Sequence, residues 1–273
     1  MVTTETISEY EYLRSNKKFP SVWCAGCGAG IIMGAVIRAI DRLGIPKDDV
    51  TVVSGIGCTA RMPVYMDFNT LHTTHGRALA FATGIKLAKP GMKVIVVMGD
   101  GDALAIGGNH FIHAARRNMD LMAIVANNSV YGMTGGQFSP TTPTGDLGTT
   151  TPYGNIEQDI DTCKLAETAG ATFVARTTAY HVFELERFVR QALNHEGFSM
   201  IEVLSPCPTE YGRRNKLDTA VELIEHLKDI TVPVGKEVPP GKFSRGILVK
   251  REQPGYIRRY AELVNSVGGT WRH

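Results

Sequence analysis

Short apolar runs alternate with amphipathic stretches along the first two hundred residues of the chain. The apolar runs are rich in Val, Ile and Ala, and runs of this kind form strands that are buried on both faces. The stretches between them repeat their apolar positions at helical spacing. We therefore predict strands at residues 49–53, 93–98, 121–126, 171–175 and 198–204, and helices at residues 30–43, 77–88, 108–117 and 181–194.

This alternation predicts an α/β fold with a doubly wound, mostly parallel sheet that is covered by helices on both faces. Two segments interrupt the alternation. Residues 131–154 are rich in Gly, Thr and Pro, and a loop of that length inside a compact domain is usually functional. From residue 231 onwards, prolines punctuate a polar segment. We therefore predict one domain, residues 1–230, followed by a C-terminal tail, residues 231–273.

The tail has two interpretations. Proline-rich polar segments rarely form a core of their own, so an extended arm that packs on a neighbouring subunit is the favoured interpretation. The tail also carries eight Lys or Arg residues against three Glu residues. A docking surface for an acidic electron carrier is therefore the alternative.

Composition and charge exclude several classes of protein. Of the 273 residues, 43% are hydrophobic and 21% are charged, which is ordinary for a globular domain. The net charge of +2 gives no concentrated basic surface for nucleic acid. No apolar run approaches the roughly 20 residues that span a bilayer. Because Glu5, Glu9 and Glu11 lie where a signal peptide would be basic and then apolar, we expect a cytoplasmic protein.

Polar residues follow two consecutive predicted strands. Gly99-Asp100-Gly101-Asp102 follows the strand at 93–98, and Asn127-Asn128 follows the strand at 121–126. The carboxyl ends of adjacent parallel strands meet at one edge of a sheet, where α/β proteins bind ligands. Carboxylate and amide oxygens suit Mg²⁺, which takes its remaining oxygens from a diphosphate and water. The glycines allow the backbone to approach phosphate closely.

Four of the five cysteines lie in Gly- and Pro-rich loops. Cys24 and Cys27 form a Cys-x-x-Cys pair, Cys58 ends Gly55-Ile-Gly-Cys, and Cys207 lies between two prolines. The pair alone fits zinc, a redox dithiol or an iron–sulfur site. Zinc usually requires a second close pair, which is missing here. Four thiolates from three loops suit a [4Fe–4S] cluster, whereas Cys163 lies in a helical pattern and is interpreted as structural.

Together these motifs resemble a known family. The segment from Gly99 to His110 and the segment Asn128-Ser-Val-Tyr-Gly-Met-Thr-Gly-Gly-Gln137 are similar to the β subunits of 2-oxoacid:ferredoxin oxidoreductases, as are Trp-Cys-x-Gly-Cys-Gly, Gly-x-Gly-Cys and Pro-Cys-Pro. Ala25 stands where the family has proline, a change in the loop and not in a ligand. The resemblance covers residues 23–215 and implies a thiamine-diphosphate-binding fold.

The resemblance also implies which residues bind the cofactors. Mg²⁺ would be held by Asp100, the Asn128 side chain and the Val130 carbonyl, and the [4Fe–4S] cluster by Cys24, Cys27, Cys58 and Cys207. The residues expected to bind thiamine diphosphate are Gly57, Gly99, Asp100, Gly101, Asp102, Asn128, Val130, Tyr131 and Gly132.

The implied activity is the coenzyme A-dependent oxidative decarboxylation of a 2-oxoacid, with ferredoxin as the electron acceptor. His75, in His-Gly-Arg-Ala, resembles part of the family's active-site segment, and Arg61 is a candidate for binding a second substrate carboxylate. Both Arg61 and the segment around Arg213 favour 2-oxoglutarate, while pyruvate and branched-chain 2-oxoacids stay open. The Glu that activates thiamine would come from a partner α subunit, so the chain alone should be inactive.

Three other functions are compatible with parts of the pattern. A non-redox thiamine-dependent decarboxylase would not need the four cysteines. An electron-transfer subunit without thiamine would not need Asp100 and Asn128. A zinc-stabilised binding module would contain zinc and show no catalysis.

Overall fold

The computed structural model describes residues 9–17 and 19–271. Glu5 and the outermost ends of the predicted domain and tail lie outside these residues. Within them, eight strands form one sheet in the order β2-β1-β3-β4-β6-β5-β8-β7. The strands are β1 (Val50–Ser54), β2 (Asn69–His72), β3 (Lys93–Gly99), β4 (Met122–Asn127), β5 (Phe173–Thr178), β6 (Ser199–Leu204), β7 (Thr231–Pro233) and β8 (Phe243–Lys250).

Strands β1 to β6 all run parallel to one another. Every residue of β1, β4, β5 and β6 is buried, as expected for strands covered on both faces. The first antiparallel pairing is between β5 and β8. The predicted doubly wound, mostly parallel α/β fold is confirmed.

Helices cover both faces of the sheet. They are α1 (Ala29–Arg42), α2 (Met62–Tyr65), α3 (Ala78–Ala88), α4 (Asp100–Leu104), α5 (Gly108–Arg116), α6 (Thr162–Thr168), α7 (Val182–Asn194), α8 (Ala220–Asp229) and α9 (Tyr256–Ser266). Helices α1 and α7 contribute to a core on one face, which contains Ile37 and Phe188. Helices α3, α5 and α6 contribute to the core on the other face, which contains Phe111 and Phe198.

The five predicted strands and four predicted helices all form, with ends shifted by up to three residues. Strand β2 was missed because its four residues are half-buried or exposed and show no apolar run. The short helix α4 was also missed, since its sequence, Asp-Gly-Asp-Ala-Leu, contains poor helix formers.

The C-terminal tail is more ordered than an extended arm. Residues 231–271 include β7, β8 and α9, and β8 extends the main sheet by pairing with β5. The proposed boundary near residue 230 therefore crosses a continuous sheet. That the tail also packs on a neighbouring subunit stays a prediction.

Among the residues that the structure describes, no helix combines the length and apolar character needed to cross a membrane.

Candidate cofactor site at the carboxyl edge of the sheet

The two polar motifs lie side by side, as expected from the β-helix-β arrangement. Gly99 at the end of β3 is in register with Ala126 of β4. Asp100 and Asn127 therefore leave the sheet at adjacent positions on its carboxyl edge. Asp100 is 2% exposed, so its carboxylate must be stabilised by neighbouring groups.

The two oxygens of Asp100 have different surroundings. Oδ2 accepts hydrogen bonds from Ser139 Oγ at 2.5 Å and from Thr141 Oγ1 at 2.6 Å. Oδ1 faces the Asn128 side chain. Burial raises the pKa of Asp100, and the hydrogen bonds from Ser139 and Thr141 oppose that rise. A cation beside Oδ1 would stabilise the negative charge of the carboxylate more strongly than these neutral hydroxyl groups do.

Three potential ligand oxygens converge at Asn128. The end of its amide group lies 2.7 Å from the Val130 carbonyl oxygen and 3.3 Å from Asp100 Oδ1. With no cation present, the amide nitrogen must face these two acceptors. With a cation, the amide oxygen can take that position and become a third ligand.

These separations fit magnesium. Mg²⁺ binds six oxygens at about 2.0–2.1 Å in an octahedron, which places neighbouring oxygens about 2.9 Å apart. Asp100, Asn128 and Val130 offer three such oxygens and leave the remaining positions to diphosphate and water. The donor set therefore fits the cation that the sequence predicts.

Glycines keep the backbone open around this position. A Cβ atom on Gly101 would lie 2.1 Å from the Tyr131 ring, so only glycine lets Tyr131 pack against the start of α4. Tyr131 also donates a hydrogen bond to the Gly101 carbonyl at 3.4 Å. Gly57 has a φ of +120°, which favours glycine, and nothing lies within 4 Å of a Cβ built on Gly99.

Asp102 lines the cleft and also joins two loops. Its Oδ1 accepts hydrogen bonds from the backbone N–H groups of Gly76 at 2.7 Å and Ile56 at 3.3 Å. Burial raises its pKa, and these two N–H groups oppose the rise. His75 Nε2 lies 3.5 Å from the same oxygen, so Asp102 also helps to hold His75 at the rim.

The two candidate catalytic residues differ in position. His75 lines the cleft together with Gly57, Asp100, Asn128 and other residues of the site. Arg61, at the start of α2, is exposed and is not part of the cleft lining. The structure therefore places His75 with the cofactor residues and Arg61 near Cys58.

The four cysteines come together from three loops. Trp23 Nε1 donates a hydrogen bond to the Cys58 carbonyl at 2.8 Å, which joins the first loop to the second. The Gly28 N–H donates to the Pro206 carbonyl at 3.4 Å, which joins the first loop to the third. Cys24 is exposed and Cys207 is buried, with Cys27 and Cys58 between these extremes.

The spacing of the thiols argues against zinc. Sulfur ligands of a tetrahedral zinc, each about 2.3 Å from the metal, lie about 3.8 Å apart. Among the described residues, the group that brings three ligand atoms within 4.8 Å of one another is Asp161, Cys163 and Glu202. Within the described part of the chain, no three of the other four cysteines bring their sulfur atoms within 4.8 Å of one another. That spacing is wider than in a zinc site and suits ligands that each bind a different iron of a larger cluster.

Burial disfavours the thiolate form of three of these cysteines, Cys27, Cys58 and Cys207. It raises the pKa of Cys27 to about 11, with smaller contributions in the same direction from Cys58, Cys207 and Cys24. Burial also raises the pKa of Cys58, and Arg61 acts in the opposite direction. The pKa of Cys207 is raised for the same reason. Metal would be needed to hold the set as thiolates at neutral pH.

Gly132 lies where the two groups of residues meet. A Cβ atom on Gly132 would lie 3.3 Å from Cys207 Sγ, 3.9 Å from Cys58 Sγ and 4.0 Å from the amide group of Asn128. The cysteines and the cation ligands are therefore separated by the width of one glycine.

The cleft over Asp100 is small. Its volume is about 90 Å³, while sites for small ligands usually enclose roughly 300–1,000 Å³. A cofactor bound here would be covered only in part by this chain.

The sequence alone did not identify Asn127, Ser139 and Thr141 as members of the site. Thr141 donates a hydrogen bond to Asn127 Oδ1 at 2.9 Å in addition to its contact with Asp100. The one available signal was the long Gly-, Thr- and Pro-rich segment at 131–154, which marks the loop without marking its residues.

Comparisons with known proteins show which family this chain is similar to. Residues 55–203 match the family described as thiamine pyrophosphate enzyme, C-terminal TPP binding domain. The 2-oxoglutarate synthase subunit KorB of Archaeoglobus fulgidus is 56% identical over 81% of this chain and 81% of its own length. The subunit of the same name from Methanocaldococcus jannaschii is 46% identical over 94% of this chain and 97% of its own.

A solved structure is also similar. It is the 2-oxoglutarate:ferredoxin oxidoreductase from Magnetococcus marinus with 2-oxoglutarate, coenzyme A and succinyl-CoA bound. Its chain matches with a TM-score of 0.88 and 32% identity, and the match covers 100% of this chain and 94% of the other.

Proposed function

This chain belongs to the β subunits of 2-oxoacid:ferredoxin oxidoreductases, and from that premise we propose that it oxidises 2-oxoglutarate together with an α subunit. The overall reaction converts 2-oxoglutarate and coenzyme A into succinyl-CoA, carbon dioxide and a proton. It releases two electrons, which leave through a [4Fe–4S] cluster to ferredoxin.

The chain's part in cofactor binding follows from the cation ligands. Thiamine diphosphate, when bound, supplies the carbanion chemistry by which a 2-oxoacid loses carbon dioxide. Asp100, Asn128 and the Val130 carbonyl would hold Mg²⁺, which would neutralise charge on the diphosphate. Gly99, Gly101 and Gly132 allow close approach of the backbone, and Tyr131 limits the cleft on one side.

One observation carries the redox part of the proposal: the close contact between the two groups of residues at Gly132. A cluster held by Cys24, Cys27, Cys58 and Cys207 would lie next to the cofactor and could accept electrons one at a time. A non-redox decarboxylase has no use for four thiols at this position. Because Cys24 is exposed, one side of the cluster would face ferredoxin.

The choice of 2-oxoglutarate rests on the relatives and on charge. Two similar proteins are named 2-oxoglutarate synthase subunits, and the similar solved structure contains 2-oxoglutarate. Arg61 could bind the distal carboxylate, although it lies outside the cleft of this chain. It would have to approach the substrate from the rim. His75 is the candidate for holding or moving a proton near the substrate oxygen.

The α subunit completes the site. The cleft of this chain covers little of a cofactor, and the Glu that activates thiamine is expected from the partner. The active site would then lie at the interface between the two subunits.

The experiment that tests the proposal uses the complex of both subunits, purified without oxygen. Electron paramagnetic resonance (EPR) spectra are recorded before and after the addition of 2-oxoglutarate and coenzyme A. A reduced [4Fe–4S] signal that depends on 2-oxoglutarate would support all parts of the proposal. Pyruvate and a branched-chain 2-oxoacid serve as comparison substrates.

Two results would change the proposal. If dithionite and pyruvate reduce the cluster but 2-oxoglutarate does not, pyruvate replaces 2-oxoglutarate as the proposed substrate. If the complex binds thiamine diphosphate and contains no iron, the redox part of the proposal is wrong and the protein is a non-redox thiamine enzyme.

A further inference from the structure

A line of buried polar side chains crosses three adjacent strands behind the cation site. Asn127 ends β4, Glu202 lies in β6, and Arg176 lies opposite Glu202 in β5. They are 8%, 1% and 3% exposed. Even a well-paired buried salt bridge often stabilises a protein no more than apolar residues of the same size would, so this line suggests a role beyond packing.

The contacts of Glu202 use both of its carboxylate oxygens. Oε1 accepts a hydrogen bond from Asn127 Nδ2 at 2.8 Å, and Oε2 accepts one from Arg176 Nε at 2.5 Å. Arg176 Nη2 also donates to Asp161 Oδ1 at 2.5 Å. Arg176 therefore already supplies a positive charge to the group of Asp161, Cys163 and Glu202, which argues against a metal there.

Glu202 determines which way the Asn127 amide points. An ionised carboxylate only accepts hydrogen bonds, so Asn127 must turn its NH₂ group toward Glu202. Its carbonyl oxygen, Oδ1, then faces the loop. There it accepts hydrogen bonds from the Ser129 backbone N–H at 3.1 Å and from Thr141 Oγ1 at 2.9 Å.

Ser129 has an unusual backbone conformation. Its φ is +59°, in the left-handed region that non-glycine residues seldom adopt. The residue is held at both ends, because Asn127 Oδ1 binds its N–H and Thr142 Oγ1 donates to its carbonyl oxygen at 2.6 Å. Ser129 lies between Asn128 and Val130, whose amide group and carbonyl oxygen meet at the proposed cation position.

We infer that Glu202 is a positioning residue for the cation site and acts through Asn127 on the turn at Ser129. By fixing the Asn127 amide, it keeps Ser129 left-handed and so keeps the Asn128 side chain and the Val130 carbonyl together. Arg176 holds the other carboxylate oxygen of Glu202 through their ion pair. The inference rests on the proposed magnesium site.

The first test compares Glu202→Gln with Asp161→Asn in the complex of both subunits, depleted of cofactor. Glutamine has one acceptor oxygen where glutamate has two, and the cationic Arg176 takes it because charge-assisted hydrogen bonds are stronger. Asn127 then faces an NH₂ group and loses its orientation. We expect the affinity for thiamine diphosphate in Mg²⁺ to fall about 10- to 100-fold, as for other residues that orient metal ligands.

Asp161→Asn is the matched control. It removes the other carboxylate that pairs with Arg176, and asparagine can still cap α6. The contact between Glu202 and Asn127 stays intact. We expect a lower unfolding temperature with unchanged affinity for thiamine diphosphate.

A second test exchanges the two polar groups. Asn127→Asp alone places a carboxylate against Glu202 and should weaken binding. In the double variant Asn127→Asp/Glu202→Gln, the Gln amide can donate to the new carboxylate while its oxygen accepts from Arg176. The double variant should recover most of the affinity that each single variant loses.

Binding is measured by calorimetry and, with Mn²⁺ in place of Mg²⁺, by the EPR signal of the bound ion. If Glu202→Gln lowers only the unfolding temperature, as Asp161→Asn does, the inference is wrong and Glu202 is merely structural. Failure of the double variant to recover would also contradict it. If the wild-type complex binds thiamine diphosphate equally well without a divalent cation, the magnesium site fails and the inference fails with it.

Discussion

Asp100 shows how one side chain can serve two purposes. Its Oδ2 is occupied by the hydroxyl groups of Ser139 and Thr141, which leaves Oδ1 directed at Asn128 and Val130. A carboxylate with one oxygen held in this way cannot rotate away from the cation. In the proposed magnesium site, the two hydroxyl groups would thus contribute to metal binding without touching the metal.

This arrangement predicts a graded effect of substitutions. Asp100→Asn removes the charged ligand and should abolish measurable Mg²⁺-dependent binding of thiamine diphosphate. Ser139→Ala removes one of the two hydroxyl groups and should weaken binding about 10-fold. Calorimetric titration of the complex with thiamine diphosphate in Mg²⁺ measures both. Equal losses in the two variants would show that Ser139 does more than orient Asp100.

The cysteines allow an equally direct test. Cys207→Ser should strongly reduce the iron bound per complex, because Cys207 is one of the four proposed ligands. Cys163→Ala is the control, since Cys163 is buried among the side chains of Asp161 and Glu202 and should leave the iron content unchanged. Iron and acid-labile sulfide are assayed after anaerobic purification. Loss of iron from the Cys163 variant would mean that the ligand set is wrongly assigned.

The sequence revealed some of these side chains more readily than others. Asp100 and Asn128 stand at strand ends in a distinctive motif, so their meeting follows from the rules of parallel sheets. Ser139 and Thr141 come from a loop without periodicity, and no local rule says which of its hydroxyl groups turns inward. Glu202 was not identified for another reason: it lies inside a strand whose other residues, apart from Ser199, are apolar, so nothing near it in the sequence marks it as functional.

Among the helices, α7 is flanked by two histidines whose protonation opposes folding. Burial lowers the pKa of His181, and Arg245 adds to the effect. Burial also lowers the pKa of His195, with a further contribution from Lys250. The unfolded chain therefore binds more protons than the folded chain below pH 6.5, the ordinary pKa of histidine, and stability is lost as the pH falls.

His195→Gln should make the stability of the protein less dependent on pH. Glutamine can keep a hydrogen bond to Thr172, which lies 2.8 Å from His195 Nε2, but it cannot be protonated. Unfolding temperatures are measured for the complex from pH 8 to pH 5. At pH 8 the wild-type protein and the variant should have similar unfolding temperatures. Below pH 6.5 the unfolding temperature of the variant should fall less than that of the wild type. A parallel decline in the two proteins would exclude His195 as a cause.

The strands that were easy or difficult to predict differ in their surroundings. Strands β1, β3, β4, β5 and β6 form the middle of the sheet, where burial on both faces leaves an apolar run in the sequence. Strand β8 joins the sheet next to β5 with a half-buried pattern and a shift of register between Val174 and Ala175. β8 pairs with a strand far away in the sequence, so the residues of β8 alone do not show that it joins the sheet.

Considered as a whole, the molecule is built to work with a partner. The cation ligands and the cysteines are organised within the chain, but the cleft between them encloses about 90 Å³. We expect the isolated chain to show no oxidation of 2-oxoglutarate. Titration with the α subunit should restore activity until the two are equimolar, as measured by reduction of ferredoxin. Activity of the chain alone would mean that it contains every catalytic group.

The cysteine loops have a mechanical consequence. Cys24 and Cys27 lie ahead of the first long helix, Cys58 follows the first strand, and Cys207 follows the sixth. A cluster bound by all four would join distant parts of the chain like a covalent cross-link and lower the entropy of the unfolded protein. Loss of the cluster by reaction with oxygen would then remove this cross-link. The segment that carries Cys24 should then become accessible to proteases first, before the central sheet unfolds.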